Sequence, residues 1–152
     1  MRKGRVLLAI ALAGMLLSAS EARAGFGVAA SIGSGFFVKE GNTERLGTNF
    51  EVIPHYKIAM LYVDLGIVGT FERDTSLSFR PGARLDLSLL YARLAVPLRY
   101  NGGFDSGLLI GIGKIFSVGP IGIFVEVDLA WSNNIGWSYF PVEFRGGVQF
   151  GF

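Results

Sequence analysis

The chain has 152 residues, 22 of them glycine and none cysteine, and a formal net charge of +2. This length fits one domain beyond an export signal, and the lack of cysteine excludes disulfide bonds and a lipid-modified N-terminal cysteine. Basic and acidic residues are interspersed, and no basic stripe or nucleic-acid motif occurs, so nucleic acid is not an expected partner.

Residues 1–24 have the three-part layout of a secretory signal peptide. Three basic residues lie within the first five positions, and an apolar run of about a dozen residues follows, too short to span a bilayer as a helix. Ala22-Arg23-Ala24 supplies the small side chains that signal peptidase requires. We therefore expect export, cleavage near Ala24 with Ser20 as the second choice, and a mature domain over residues 25–152. An uncleaved N-terminal anchor helix is the alternative.

Alternation of apolar and polar side chains at period two runs through most of the mature part. In residues 121–131, isoleucine, valine, leucine and tryptophan occupy the odd positions, whereas glutamate and aspartate lie among the even ones. Residues 139–152 repeat the pattern, with glutamate and arginine opposite a face of aromatic and aliphatic side chains. Strands with one apolar and one charged face are typical of a transmembrane barrel, whose outside contacts lipid and whose lumen is polar.

The alternation predicts an all-β fold, an eight-stranded antiparallel up-and-down barrel in the membrane. No apolar run of the mature part approaches the roughly 18 residues of a transmembrane helix, and lipid offers no partner for an open sheet edge, so the sheet must close. A soluble β protein with its polar face outwards is the alternative. The predicted strands cover residues 25–38, 48–57, 61–71, 77–87, 91–100, 106–116, 120–131 and 139–152.

The connections between these strands alternate between longer polar segments and short turns. Outer-membrane barrels show this alternation, with the longer loops outside and the tight turns in the periplasm, which places both chain ends on the periplasmic side. The turn at Ser88–Leu90 lacks Gly, Pro and Asn and is inferred from a change of face, and Pro81-Gly82 is the competing position. Pro54, Pro97 and Pro141 indicate bulges or strand starts.

Large aromatic residues lie near the predicted strand ends. Interfacial girdles of tyrosine, tryptophan and phenylalanine flank the apolar band of membrane barrels. The residues expected in these girdles include Tyr100, Trp131, Trp137 and Phe140.

Three segments resemble the outer membrane protein β-barrel domain family of small Gram-negative barrels. Leu90–Tyr100 looks like its Tyr-Leu-x-Ile-Pro-Leu-type strand, and Gly107–Lys114 looks like the strand that follows. The end of the chain, with Phe150 and Phe152, is similar to the aromatic signal that barrel-assembly machinery recognises. The resemblance implies an eight-stranded barrel in the cell outer membrane, inserted by that machinery. It implies no specific activity, because members range from structural stabilisers to adhesion and resistance factors.

Charged residues of both signs share the predicted lumen face. A barrel of eight strands is filled by side chains, so these charges must pair, or their desolvation costs several kcal/mol each. We therefore predict a charge network that plugs the lumen. Its members are Asp64, Arg80, Arg84, Asp86, Arg93, Arg99, Glu126, Asp128, Glu143 and Arg145, and Glu51, Lys57 and Gln149 share the same face.

No residue pattern indicates catalysis, a metal site or a cofactor. His55 is the only histidine, and its predicted strand contains no serine nucleophile. Without cysteine or a second histidine, a zinc site is not expected. The sequence favours a non-enzymatic, monomeric outer-membrane protein with a structural or envelope-interaction role, in contact with lipid and lipopolysaccharide. The alternatives are a small pore or transporter for ions or apolar molecules, and a membrane-embedded lipid-modifying enzyme.

Overall fold

A computed structural model of the chain describes residues 25–39, 42–71, 76–100, 104–132 and 141–151. In these ranges the chain consists of strands joined by turns and short irregular segments, and no helix there is long and apolar enough to cross a membrane. The predicted signal peptide with its cleavage site at Ala24 lies outside the described residues. Trp137, Phe140 and Phe152 lie outside them as well.

Ten strand segments in the described ranges form one antiparallel sheet. The segments β2 and β3 both pair with β1, and β6 and β7 both pair with β8, so each of these two pairs of segments counts as one strand of the wall. The wall of the barrel therefore has eight strands. The segments are β1 (Gly25–Lys39), β2 (Asn42–Arg45), β3 (Asn49–Ile58), β4 (Leu61–Thr70), β5 (Ser76–Asp86), β6 (Tyr91–Ala95), β7 (Leu98–Tyr100), β8 (Phe104–Val118), β9 (Ile121–Ser132) and β10 (Val142–Gly151).

The sheet closes because its first and last strands pair with each other. β1 runs antiparallel to β10, with Gly27 opposite Gly151 and Phe36 opposite Val142. All other pairings join wall strands that follow one another along the chain. Closure leaves no free sheet edge, so the backbone N–H and C=O groups that an open edge would expose are paired. The predicted eight-stranded antiparallel barrel is confirmed.

The short turns lie at one end of the barrel, called the turn end, together with Gly25 and Gly151. Ala59 begins the two-residue turn between β3 and β4 and has a φ of 56°. Gly119 takes the same place between β8 and β9, with a φ of 62°. Glycine adopts this backbone conformation without strain, whereas alanine does not. The opposite end, where the longer connections leave the wall, is called the loop end.

The turn between β5 and β6 lies where the change of face predicted it. Ser88 has a φ of 70°, and its backbone N–H donates to Asp86 Oδ1 over 3.0 Å. The N–H of Leu87 donates to the Leu90 carbonyl over 2.8 Å. The aspartate side chain thus satisfies a turn backbone that lacks the usual turn residues. The competing position, Pro81-Gly82, is continuous strand within β5.

Two of the strand prolines interrupt the hydrogen-bond ladder without shifting the strand register. Pro97 separates β6 from β7, yet both segments keep one register with β8, and the N–H of Gly107 donates to the Pro97 carbonyl over 3.0 Å. Pro54 lies within β3, whose register with β4 is likewise unchanged on both sides. Bulges are therefore absent at these two prolines, whereas Pro141 directly precedes β10 as a strand start.

Candidate functional site in the barrel lumen

The barrel buries charged side chains and exposes apolar ones. In β4, Leu61, Val63, Leu65 and Ile67 are exposed, whereas Asp64 is buried between them. Among the described residues other than glycine, thirteen buried residues are polar or charged and eight are hydrophobic. Soluble proteins have the opposite arrangement, with apolar side chains inside and charged side chains mostly in water. The buried charged and polar groups of the described residues are therefore concentrated in the lumen.

Glu51 on β3 is the centre of the charge network. Its carboxylate is fully buried, and Oε1 lies 2.8 Å from Arg93 Nη2 on β6. Oε2 contacts Arg145 Nη1 on β10 and lies 3.7 Å from Arg80 Nη1 on β5. Guanidinium groups from three parts of the wall thus converge on one carboxylate.

Arg93 and Arg145 share a second carboxylate, that of Glu126 on β9. Glu126 Oε1 lies 3.1 Å from Arg93 Nη1 and 3.4 Å from Arg145 Nη1. Arg145 Nη2 also lies 2.7 Å from Asp128 Oδ2 and 2.8 Å from Glu143 Oε2. The planar guanidinium, with five N–H donors, suits contacts with several carboxylates at once.

A branch of the network extends from Glu51 towards the loop end. Arg80 Nη1 and Nη2 donate to the two carboxylate oxygens of Glu143 over 3.1 and 3.2 Å, which is a bidentate pair. Asn49, the first residue of β3, donates from Nδ2 to Glu143 Oε1 over 3.5 Å. A bidentate pair fixes the relative orientation of the two side chains in addition to its favourable charge interaction.

A second branch extends towards the turn end. Arg84 Nε donates to Asp64 Oδ2 over 2.9 Å, and Arg93 Nε lies 3.6 Å from the same oxygen. The Arg84 guanidinium also lies over the rings of Tyr62 and Tyr91, at 4.9 and 5.6 Å from their centroids. Arg84 is thereby held between a carboxylate and two aromatic faces, a favourable environment for a desolvated cation.

Beside this branch lie a small apolar cluster and, at the turn end, a polar vestibule. The cluster consists of Ala29, Ile53, Tyr91 and Phe124. The vestibule is a pocket of about 270 Å³ lined by residues that include His55, Lys57, Tyr62 and Gln149. Arg84 Nη1 donates to Gln149 Oε1 over 3.3 Å, so the charge network reaches the vestibule.

The vestibule surrounds His55 with packing contacts. Its Nδ1 lies 3.2 Å from the Ile53 carbonyl, and its ring meets Tyr62 edge-on at a centroid distance of 5.4 Å. Gly27 leaves the space that the imidazole fills, because a Cβ at that position would collide with the ring. In the described ranges, no group of three or more histidine, aspartate or glutamate side chains has an arrangement that could hold a metal ion.

Eight of the ten residues predicted for the network are buried together in the lumen. Asp86 is half-buried at the turn end, with Oδ2 4.0 Å from Lys57 Nζ, and does not reach the network. Arg99 has the inward parity but is exposed near the loop end, opposite Asp105 on β8. The buried eight are Asp64, Arg80, Arg84, Arg93, Glu126, Asp128, Glu143 and Arg145. Parity placed Glu51 on their face, but its central role depends on contacts across the closed barrel.

Some of the described aromatic residues lie at the two ends of the wall. Tyr100 ends β7 at the loop end and is 77% exposed, and Trp131 is half-buried near the loop end of β9. Phe150 is exposed at the turn end of β10. Phe26 and Tyr56 pair at the same end, with ring centroids 4.6 Å apart.

Comparison with known proteins shows a likeness in fold. No family model and no curated protein sequence matches the chain. The crystal structure of Neisserial surface protein A is similar, with a TM-score of 0.60 and 18% sequence identity over 84% of this chain and 97% of that chain. At this identity, the likeness shows a shared barrel fold.

Proposed function

We propose that the chain is an integral outer-membrane protein with a structural or envelope-interaction role, and that charged side chains close its lumen. The inside-out distribution of side chains carries this proposal. Leu65 and Ile67 are exposed on the wall while Asp64 and Arg84 are buried inside it. Exposing apolar surface to water costs about 25 cal/mol per Å². That cost disappears where the surface contacts lipid.

The dimensions of the wall support a membrane-spanning position. A β-strand tilted by about 45° crosses the hydrocarbon core with about 9–11 residues. β4 has 10 residues, β9 has 12 and β8 has 15. Closure of β1 on β10 pairs the edges that lipid could not satisfy. The name of Neisserial surface protein A places that protein at a cell surface, which agrees with an envelope location here.

The charge network supports a closed lumen. Glu51 contacts both Arg93 and Arg145 across the interior, where a conducting barrel would hold a continuous file of water. Burial of these ions is tolerated because carboxylates and guanidinium groups are present in nearly equal numbers and lie within ion-pair distance of one another. The buried described ions are the carboxylates Glu51, Asp64, Glu126, Asp128 and Glu143 and the guanidinium groups Arg80, Arg84, Arg93 and Arg145.

A narrow ion pathway is the second candidate function. It is favoured by buried polar atoms that have no hydrogen-bond partner, among them Asp128 Oδ1, Arg84 Nη2 and Arg145 Nε. Such atoms are usually satisfied by water, so the lumen has the polar lining that a water file would need.

Heat-modifiable gel migration tests the membrane barrel. The protein folded in detergent should migrate differently before and after boiling, because a closed barrel resists dodecyl sulfate until it is heated. Identical migration, together with solubility in the absence of detergent, would contradict the membrane assignment.

Planar-bilayer recording separates the closed lumen from the ion pathway. Purified wild-type protein should give no stepwise conductance. Arg145→Ala is the comparison, because it removes the guanidinium that contacts Glu51, Glu126 and Asp128 and should admit ions. Stepwise conductance of the wild type would reject the closed lumen and favour the pathway.

A further inference from the structure

Lys114 on β8 is a charged residue on the apolar outside of the barrel. Ile110, Ile112, Phe116 and Val118, its outward-facing neighbours on the same strand, are all exposed and apolar. In β3 to β10 of the described chain, Lys114 is the one charged residue with outward parity. A lysine on the lipid-facing wall is unfavourable at the bilayer midplane and tolerated near an interface.

The Lys114 side chain extends towards the turn end. Its Nζ lies 5.3 Å from the centroid of the Phe116 ring, the next outward residue in that direction. Val118, at the end of β8, lies four positions after Lys114. With a rise of about 3.3 Å per residue and a tilt of about 40°, Lys114 lies about 10 Å from the turn end. A lysine stem can bring its amine closer to the interface by lying along apolar surface.

An apolar groove of about 490 Å³ begins beside Lys114 and crosses the outside of β8, β9 and β10. Ile112, Val127 and Phe144 form one cross-strand row of its lining, and Lys114, Val125 and Gly146 form the next. Because Gly146 has no side chain, the wall is recessed at the end of the second row opposite Lys114.

We propose that this groove binds a glycerophospholipid of the leaflet at the turn end, with the lipid phosphate on the Lys114 amine and an acyl chain over Gly146. The inference rests on the proposed membrane-spanning function. Charge complementarity selects the occupant: an apolar groove next to one cation matches a molecule with an anionic head and a hydrocarbon tail. The phosphate also provides a counter-charge for a lysine whose outward-facing neighbours on β8 are all apolar.

The test is a native mass spectrometry titration of the detergent-folded protein with phosphatidylglycerol. The wild type should retain one lipid about fivefold or more tightly than Lys114→Gln, as expected for the loss of one charge-assisted contact. Lys114→Arg should keep the preference. Lys57→Gln is the matched control, because it removes a lysine from the vestibule, away from the groove.

A second variant tests the acyl-chain part of the groove. Gly146→Leu should reduce lipid retention by filling the recess, and the protein should still fold, because a Cβ there meets only the Phe124 carbonyl, at 3.8 Å. Gly69→Leu adds the same side chain to β4, outside the groove, and should retain lipid like the wild type.

Three outcomes would overturn the proposal. Equal retention by the wild type, Lys114→Gln and Gly146→Leu would show that the groove is not a lipid site. Sensitivity to Gly146→Leu alone would show apolar binding without phosphate recognition. A dimer that dissociates in Gly146→Leu would identify a second copy of the chain as the occupant. Gel migration of the same samples separates the two proposals: folded protein without lipid preference rejects this inference alone, whereas no heat-modifiable barrel rejects both.

Discussion

Glu51 and Arg93 form a 2.8 Å ion pair across the lumen, although β4 and β5 lie between their strands along the wall. Both side chains are fully excluded from solvent. The pair therefore joins strands that share no backbone hydrogen bonds. The ion pair thus links parts of the wall that the backbone hydrogen bonds do not link directly.

Glu51→Gln should destabilise the folded barrel by about 3–5 kcal/mol, because it keeps the shape of the side chain but removes the buried charge that pairs with Arg93 and Arg145. The urea midpoint of the heat-modifiable folded form measures the change. Asp86→Asn is the matched control, since its partner Lys57 is half-exposed and the expected loss is below about 1 kcal/mol. Equal losses in the two variants would remove Glu51 from the centre of the network.

Asp64 and Arg84 are the pair best suited to a double-mutant cycle. Asp64→Leu and Arg84→Met should each cost about 3–5 kcal/mol, because each leaves the other ion buried without its closest partner. The double variant should lie closer to the wild type than either single variant, since it removes both charges. Additive losses in urea unfolding would show that the two residues act independently.

Gly66 on β4 makes room for the centre of the network. A Cβ at this position would collide with the Glu51 carboxylate and lie 3.1 Å from Arg80 Cβ. Gly66→Ala should therefore cost about 1–3 kcal/mol through overpacking. Gly69→Ala, on the same strand, meets only the Phe71 ring, at 3.5 Å, and should change stability far less. Equal unfolding midpoints for the two variants would contradict the crowding at Gly66.

Ala59 and Gly119 allow a matched test of turn strain. Ala59→Gly should stabilise the barrel by about 0.5–1 kcal/mol, because the left-handed conformation at φ 56° is costly for alanine. Gly119→Ala should destabilise by a similar amount for the same reason, since no atom lies within 4 Å of a Cβ built there. Changes of the same sign in both variants would show that backbone strain does not govern these turns.

Deletion of Phe152 should impair assembly more than the stability of the folded barrel. The prediction comes from the resemblance of the chain end to the signal that barrel-assembly machinery recognises. Insertion into outer membranes measures the first effect, and the urea midpoint of folded protein measures the second. Phe26→Ala, which changes an exposed aromatic residue at the turn end, is the comparison. Normal insertion of the deletion variant would count against an assembly signal.

The sequence by itself determined the faces of the strands. Side chains alternate strictly along a strand, so a single apolar residue such as Ile123 assigns the facing of Glu126 and Asp128 on the same strand. The turn at Ser88 follows from that parity, and the predicted closure follows from the lack of partners for a sheet edge in lipid; both agree with the structure. The alternation of faces did not predict the uninterrupted register at Pro54 and Pro97. Each proline lacks one backbone donor, which removes one hydrogen bond but does not displace the strand.

Only the tertiary structure decided which charges meet. Parity shows that Glu51 and Arg93 both face inwards, but their contact depends on how closure staggers the strands around the barrel, which no local pattern encodes. The same stagger leaves Arg99 exposed near the loop end despite its inward parity. Local backbone geometry sets the face of a residue, whereas its height along the lumen is set by the pairing of every strand in the closed sheet.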